Sequence, residues 1–199
     1  RGNAYYSSSE AILKGLSDDG GLFVLDTLPK IDFDSTWIDL DYLKISKKIL
    51  SHFFADFTTE EIDEVISKAY SKENFKEDII RLKPFKDYAF LELYHGPTLA
   101  FKDMALTMLP HLMDVSNRKI NYAKKIKILT ATSGDTGGAA LSGFSKSQNI
   151  ETIVLYPNKG VSPFQEKQML SFTNSKAHAF AVNKNFDECQ TMVKEFFLN

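Results

Sequence analysis

The chain has 199 residues, enough for one or two domains, and its 43% apolar and 25% charged side chains are an ordinary globular mix rather than a disordered one. The net charge of −2 gives no electrostatic case for nucleic acid, and no run approaches the roughly 20 apolar residues of a membrane span. The single cysteine, Cys189, allows no internal disulfide, which suits a reducing cytoplasm, and is expected to be a small buried hydrophobe.

The opening Arg1-Gly2-Asn3 shows no apolar signal core and no Met, so a short N-terminal piece is expected to be missing. Asp18-Asp19-Gly20-Gly21 reads as a turn before the short apolar run Leu22-Phe23-Val24-Leu25. Between Asp41 and Phe54, Tyr42, Ile45, Ile49 and Phe53 mark one face of a helix, with Leu43 and Leu50 beside them. From Thr59 to Ser71 the pattern repeats at Ile62, Val65, Ile66, Ala69 and Tyr70, and Thr58 with Glu61 has capping-box spacing. Residues 1–85 therefore read as a small, mainly helical unit, with Pro84 as its boundary.

Residues 86–199 alternate strands with helices. Phe90-Leu91-Glu92-Leu93-Tyr94 is a strand candidate, followed by a helix from about Leu99 to Leu109 that Pro110 kinks or ends. Ile126–Ala131 is the next strand, then a glycine-rich turn and a helix over about Gly137 to Ser145. Thr152–Tyr156 is a third strand, and Ser162, Pro163 and Gln165 give a strong helix start after it. Ala177–Val182 is a fourth strand, and Asn185 with Glu188 caps a last helix through Met192, Val193, Phe196 and Phe197. This alternation predicts an α/β fold with right-handed crossovers and a mostly parallel sheet, whose ligands sit at the carboxyl ends of its strands.

Two segments carry chemistry. In His95-Gly96-Pro97-Thr98-Leu99-Ala100-Phe101-Lys102-Asp103, Gly and Pro shape a turn, Thr98 is a candidate helix N-cap, and Lys102 falls near the end of the first turn among apolar neighbours. A lysine that reacts as a nucleophile must present an unprotonated amine, and both desolvation and a helix start disfavour the ammonium form. On spacing alone, a lysine reaching from a helix into water is the commoner case. In Thr130-Ala131-Thr132-Ser133-Gly134-Asp135-Thr136-Gly137-Gly138, glycines let the backbone approach a ligand. The helix-start N–H groups, with the Thr132, Ser133 and Thr136 hydroxyls, make a cradle for a carboxylate or phosphate. It is neither a P-loop nor G-x-G-x-x-G, and a helix cap that binds only water fits it too. Asp135 is awkward in an anion site; it caps helix N–H groups or accepts from a ligand hydroxyl. No metal site is expected.

Together, the segments 95–103 and 131–137 resemble threonine synthase, the first its cofactor-lysine segment and the second its substrate loop. Tyr156-Pro157, Gly160–Gln165 and Gln168-Met169 resemble a third family segment, and Asn185–Asp187 with Gln190 and Val193-Lys194 a fourth. Gly15–Phe23 fits the opening domain of that family. The resemblance implies a small, mainly helical N-terminal domain (1–85) and the first part of a parallel-sheet, fold-type II domain (86–199) that binds pyridoxal 5′-phosphate (PLP). It implies a cytoplasmic enzyme making L-threonine and phosphate from O-phospho-L-homoserine and water. Lys102 would hold the cofactor and then act as general base at Cα and Cβ. Ser133, Gly134, Asp135, Thr136 and Gly137 would hold the substrate carboxylate, with Asp135 also facing the cofactor's 3-hydroxyl side. Phe101 and Asp103 would support the lysine. His95 is left without an assigned role, and His52, His111 and His178 are expected to pack rather than react.

The resemblance also predicts a glycine-rich loop for the cofactor phosphate, which does not occur before Asn199, so the chain reads as a fragment that binds the cofactor poorly and turns nothing over alone. Another fold-type II enzyme, such as a cysteine synthase or threonine dehydratase, a family member without activity, and a non-enzymatic anion-binding module remain alternatives. Oligomeric state is not legible.

Overall fold

The computed structural model describes residues 2, 4–122 and 124–198; the expectations that rest on Arg1, Asn3 and Asn199 lie outside them. It falls into two compact units, Arg1–Ser71 with His111–Ala123, and Lys72–Pro110 with Lys124–Asn199.

The first unit is helical. α1 (Ser8–Lys14), which the apolar spacing did not reveal, is started by a capping box between Ser7 and Glu10. A 3₁₀ turn (Ser35–Trp37) follows the run 22–25, which is irregular and leaves Leu22 and Val24 exposed. α2 (Tyr42–Phe53) is capped by Asp41, and α3 (Thr59–Ala69) by the expected Thr58–Glu61 box. α3 buries the predicted stripe Ile62, Val65, Ile66 and Ala69. Tyr42 and Tyr70 meet edge to face across α2 and α3, with ring centroids 5.0 Å apart. Leu112, Met113 and Val115 bury the same side of residues 111–119, and that stretch is tied to α3 by Arg118–Glu64 and Lys119–Glu61 ion pairs at 2.6 and 2.9 Å.

In the second unit, β3 (Ile126–Ala131), β4 (Ile150–Pro157) and β5 (Ala177–Val182) form a parallel sheet in the order β3-β4-β5. Ile126 pairs with Ile150 and Ala131 with Leu155, so the two strands start level, and β3 ends just before the glycine-rich turn while β4 runs two residues further. β4 alternates: Ile150, Thr152, Val154 and Tyr156 are buried. Val154 and Tyr156 form the core with Leu141 of α6 (Asp135–Phe144), Met169 of α7 (Pro163–Ser171) and Ala177. α8 (Phe186–Leu198) returns across β3 and β4 and buries Cys189 completely, as expected of it.

Two expectations are corrected. The strand placed at Phe90–Tyr94 is β2 (Tyr88–Glu92), and it pairs antiparallel with β1 (Arg81–Phe85) instead of joining the parallel sheet. Only Lys86 and Asp87 connect the two, too short a link for a parallel crossover, and Lys86 takes a left-handed φ of 52° to close the turn. The continuous helix from Leu99 to Leu109 is instead a turn, a four-residue α4 (Asp103–Leu106), and then α5 (Leu109–Lys119). Pro110 neither kinks nor ends a helix; it lies in the first turn of α5, where its missing N–H is not needed.

Candidate functional site

The lysine turn is held by Asp103. Its carboxylate is 1% exposed and accepts from the Thr98 backbone N–H at 2.8 Å and the Thr98 hydroxyl at 2.7 Å. Burial raises the Asp103 carboxyl above its ordinary value, against the Thr98 bonds that lower it. Thr98 is therefore not the N-cap of a helix through Lys102: its side chain is committed five residues along the chain. Gly96 makes room for this lock, since a Cβ there would stand 2.5 Å from that of Asp103. Leu99 is forced to a φ of 59°, and Lys102 becomes the residue that precedes α4.

Lys102 is half-buried. Its apolar neighbours divide: Leu99 and Phe101 are exposed at 64% and 61%, while Ala100 and Met104 are half-buried. The amine lies 5.1 Å from the Phe101 ring centroid and forms no ion pair with a carboxylate among the described residues. Behind it, α4 rests on α6 through Gly143, where an added Cβ would lie 2.1 Å from the Leu106 carbonyl oxygen. His95 is paired with Glu92 at 3.2 Å and has the Tyr94 ring against it, with centroids 4.9 Å apart. Hydrogen bonding from Tyr94 holds the Glu92 carboxyl below its ordinary value.

The glycine-rich turn follows the carboxyl end of β3, as expected of a ligand site in a parallel sheet. Thr132, however, is not part of an open cradle. It is 1% exposed, and its hydroxyl oxygen accepts from the Gly134 and Gly137 N–H groups, both at 2.9 Å. Among the described residues the N–H groups of Ser133, Asp135 and Thr136 have no such protein acceptor. Ser133 and Asp135 are exposed and Thr136 half-buried, while Gly134 and Gly137 are buried. Gly134 has a φ of 138°, and a Cβ on it would meet the Gln165 amide at 2.4 Å, so no other residue fits there. Asp135 makes no cap bond to α6; its Oδ1 accepts from Gln165 Nε2 at 2.7 Å.

Both turns touch α7: Gln168 donates to the Thr98 carbonyl at 3.1 Å and lies beside Gly138, and Gln165 donates to Asp135. Gln165 and Gln168 stand in a segment that resembles the family, with no role at the site given to Gln168 and only helix capping to Gln165. His52 is exposed, and His178 stacks on Phe180 and lies 3.7 Å from the Glu151 carboxylate. Among the described residues no group of His, Cys, Asp and Glu could hold a metal, and no helix is long and apolar enough to cross a membrane.

Residues 1–70 match the family described as "Threonine synthase N terminus". The chain is 35% identical to a threonine synthase of Schizosaccharomyces pombe, over 98% of this chain and 40% of that protein. It superposes on the crystal structure of PLP-bound threonine synthase from Brucella melitensis with a TM-score of 0.82, at 34% identity, covering 97% of this chain and 42% of that one. The yeast threonine synthase structure gives 0.83 at 32% identity, over 96% and 40%. The chain spans about two fifths of the length of these relatives.

Proposed function

Because this chain belongs by sequence and fold with the threonine synthases, we propose that its protein converts O-phospho-L-homoserine and water to L-threonine and phosphate with pyridoxal 5′-phosphate. The observation that carries the proposal is Lys102: a half-buried lysine, uncommitted to any carboxylate among the described residues, on a locked turn that α7 links through Gln168 and Gln165 to a glycine turn with unpaired N–H groups. Those residues fit a cofactor held through a lysine amine and a substrate held by its carboxylate. When bound, the cofactor supplies an electron sink for charge developing on the substrate carbons.

The chain's own residues do the rest. The N–H groups of Ser133, Asp135 and Thr136, with the Ser133 and Thr136 hydroxyls, grip the substrate carboxylate, and Gly134 and Gly137 let it approach the backbone. Asp135 keeps one oxygen on Gln165 and offers the other to a ligand hydroxyl on the cofactor's 3-hydroxyl side. Lys102 would act as general base, taking the proton from Cα and then one from Cβ so that phosphate leaves from Cγ; water adds at Cβ, and protons return to Cα and Cγ. Residues 1–85 act as the opening domain and 86–199 as the first part of the cofactor domain, in a cytoplasmic enzyme.

The full-length protein with the cofactor is expected to show a yellow absorbance band that borohydride bleaches and Lys102→Ala abolishes. It should release phosphate from O-phosphohomoserine and not ammonia from threonine. A colourless protein after cofactor addition, or ammonia release alone, refutes the assignment.

A further inference from the structure

We infer that Gln165 and Gln168 are positioning residues: one face of α7 braces both halves of the site, Gln165 setting the glycine turn and Gln168 the lysine turn. The inference rests on the function proposed above but draws on different contacts. Gln165 is the third residue of α7 and works in two directions with one amide. Its Oε1 accepts from the Ser162 N–H at 3.0 Å, closing the capping box, while its Nε2 donates to Asp135 Oδ1 at 2.7 Å. The plane of that amide lies against Gly134, which has no Cβ to keep it away. One helical turn on, Gln168 Nε2 donates to the Thr98 carbonyl at 3.1 Å, and its Oε1 lies 3.2 Å from where a Gly138 Cβ would be. Met169, fully buried beside it, fills the space over Gly137. Residues at i, i+3 and i+4 share one helix face, so this face of α7 touches Thr98, Gly134, Asp135, Gly137 and Gly138 together.

The chemistry of an amide explains the choice of residue. Gln165 must accept from a backbone N–H and donate to a carboxylate at once, which no apolar or acidic side chain does. With Oδ1 of Asp135 occupied, the remaining oxygen is oriented, so Asp135 meets a ligand as a fixed hydrogen-bond acceptor rather than as a loose charge in an anion site. Gln168 likewise satisfies a carbonyl of the buried Thr98, whose N–H and hydroxyl are already held by Asp103.

The capping role and the bracing role of Gln165 can be separated. Gln165→Glu keeps an acceptor for Ser162 and so keeps the helix cap, but sets a carboxylate against Asp135. In the full-length holoenzyme it is expected to raise KM for O-phosphohomoserine at least tenfold, the order of one lost charge-assisted hydrogen bond, with the cofactor absorbance retained. Gln168→Leu, which leaves the Thr98 carbonyl unpaired, is expected to lower kcat rather than raise KM, because it loosens the lysine turn. Amide hydrogen exchange is the second readout: faster exchange at the bonded Gly134 and Gly137 amides in Gln165→Glu, and at the bonded Thr98 and Leu99 amides in Gln168→Leu. Unchanged kinetics and exchange in both variants overturn the brace while leaving the enzymatic assignment standing. If the unaltered protein releases no phosphate, that assignment fails, and the exchange rates alone then decide the brace.

Discussion

Replacing Asp103 tests whether the lysine turn is held by a buried acceptor. Asp103→Ala leaves the Thr98 N–H and hydroxyl, on a residue only 5% exposed, without the carboxylate they bind at 2.8 and 2.7 Å. A buried donor stripped of its partner costs about 1–3 kcal/mol, so two cost about 4 kcal/mol, and relief from burying the carboxylate returns part of it. The net loss is expected to be about 3 kcal/mol. Asp103→Asn keeps both contacts, its oxygen accepting from the N–H and its amide donating to a rotated hydroxyl, and should cost about 1 kcal/mol or less. Urea unfolding of the full chain, with each variant's midpoint compared at a common slope, measures both. The pH dependence adds a sign. Burial raises the folded-state carboxyl above 3.8, so the folded chain binds more protons than the unfolded one and Asp103 loses stabilising power as pH rises from 3.8 through its raised value. The advantage of the unaltered protein over Asp103→Asn should therefore be larger near pH 4 than at pH 7. An Asp103→Ala loss below about 1 kcal/mol refutes the lock, whereas an advantage over asparagine that grows with pH would show the Thr98 bonds outweighing burial of the carboxylate.

Two further substitutions probe how the turns are seated. Gly143→Ala places a methyl 2.1 Å from the Leu106 carbonyl oxygen and must push α4 off α6, costing about 1–3 kcal/mol and lowering kcat through displacement of Lys102; a stability and kcat equal to those of the unaltered protein would contradict that packing. Thr132→Val keeps the volume but removes the acceptor shared by Gly134 and Gly137, so stability should fall by about 2 kcal/mol and those two amides should exchange faster, and equal exchange would contradict it.

What the sequence disclosed was what its physics keeps local. The caps at Thr58–Glu61, Ser162–Gln165 and Asn185–Glu188 need only three-residue spacing, and all three form. β3 and β4 are runs rich in β-branched residues that periodicity finds readily, and β5 is a short, mainly apolar run. β1 escaped because Pro84 argues against a strand; it is tolerated here because β1 has a partner on only one side. The glycine turn was legible from its composition, but the use of the Thr132 hydroxyl was not, since a threonine before such a turn looks the same whether it faces a ligand or its own backbone. The contacts of Gln165 and Gln168 span 30 and 70 residues, beyond any local pattern.

The lysine turn is where local preference and structure part, and the magnitudes show why structure prevails. Apolar periodicity favours a helix through 99–109, and a leucine in the left-handed region costs about 1–2 kcal/mol on its own. Against that stand two charge-assisted bonds from Thr98 to Asp103 and one from Gln168 to the Thr98 carbonyl, together worth more than the strain at Leu99. A regular helix from Thr98 would leave the Asp103 carboxylate without these donors and would carry Lys102 into its interior turns. The lock instead ends the turn at Lys102, whose carbonyl accepts from the Ala105 and Leu106 N–H groups of α4, so the lysine stands at a junction fixed from both sides. Backbone strain maintained by surrounding bonds is a mark of functional positions, and here it falls three residues before the one amine the proposed chemistry requires.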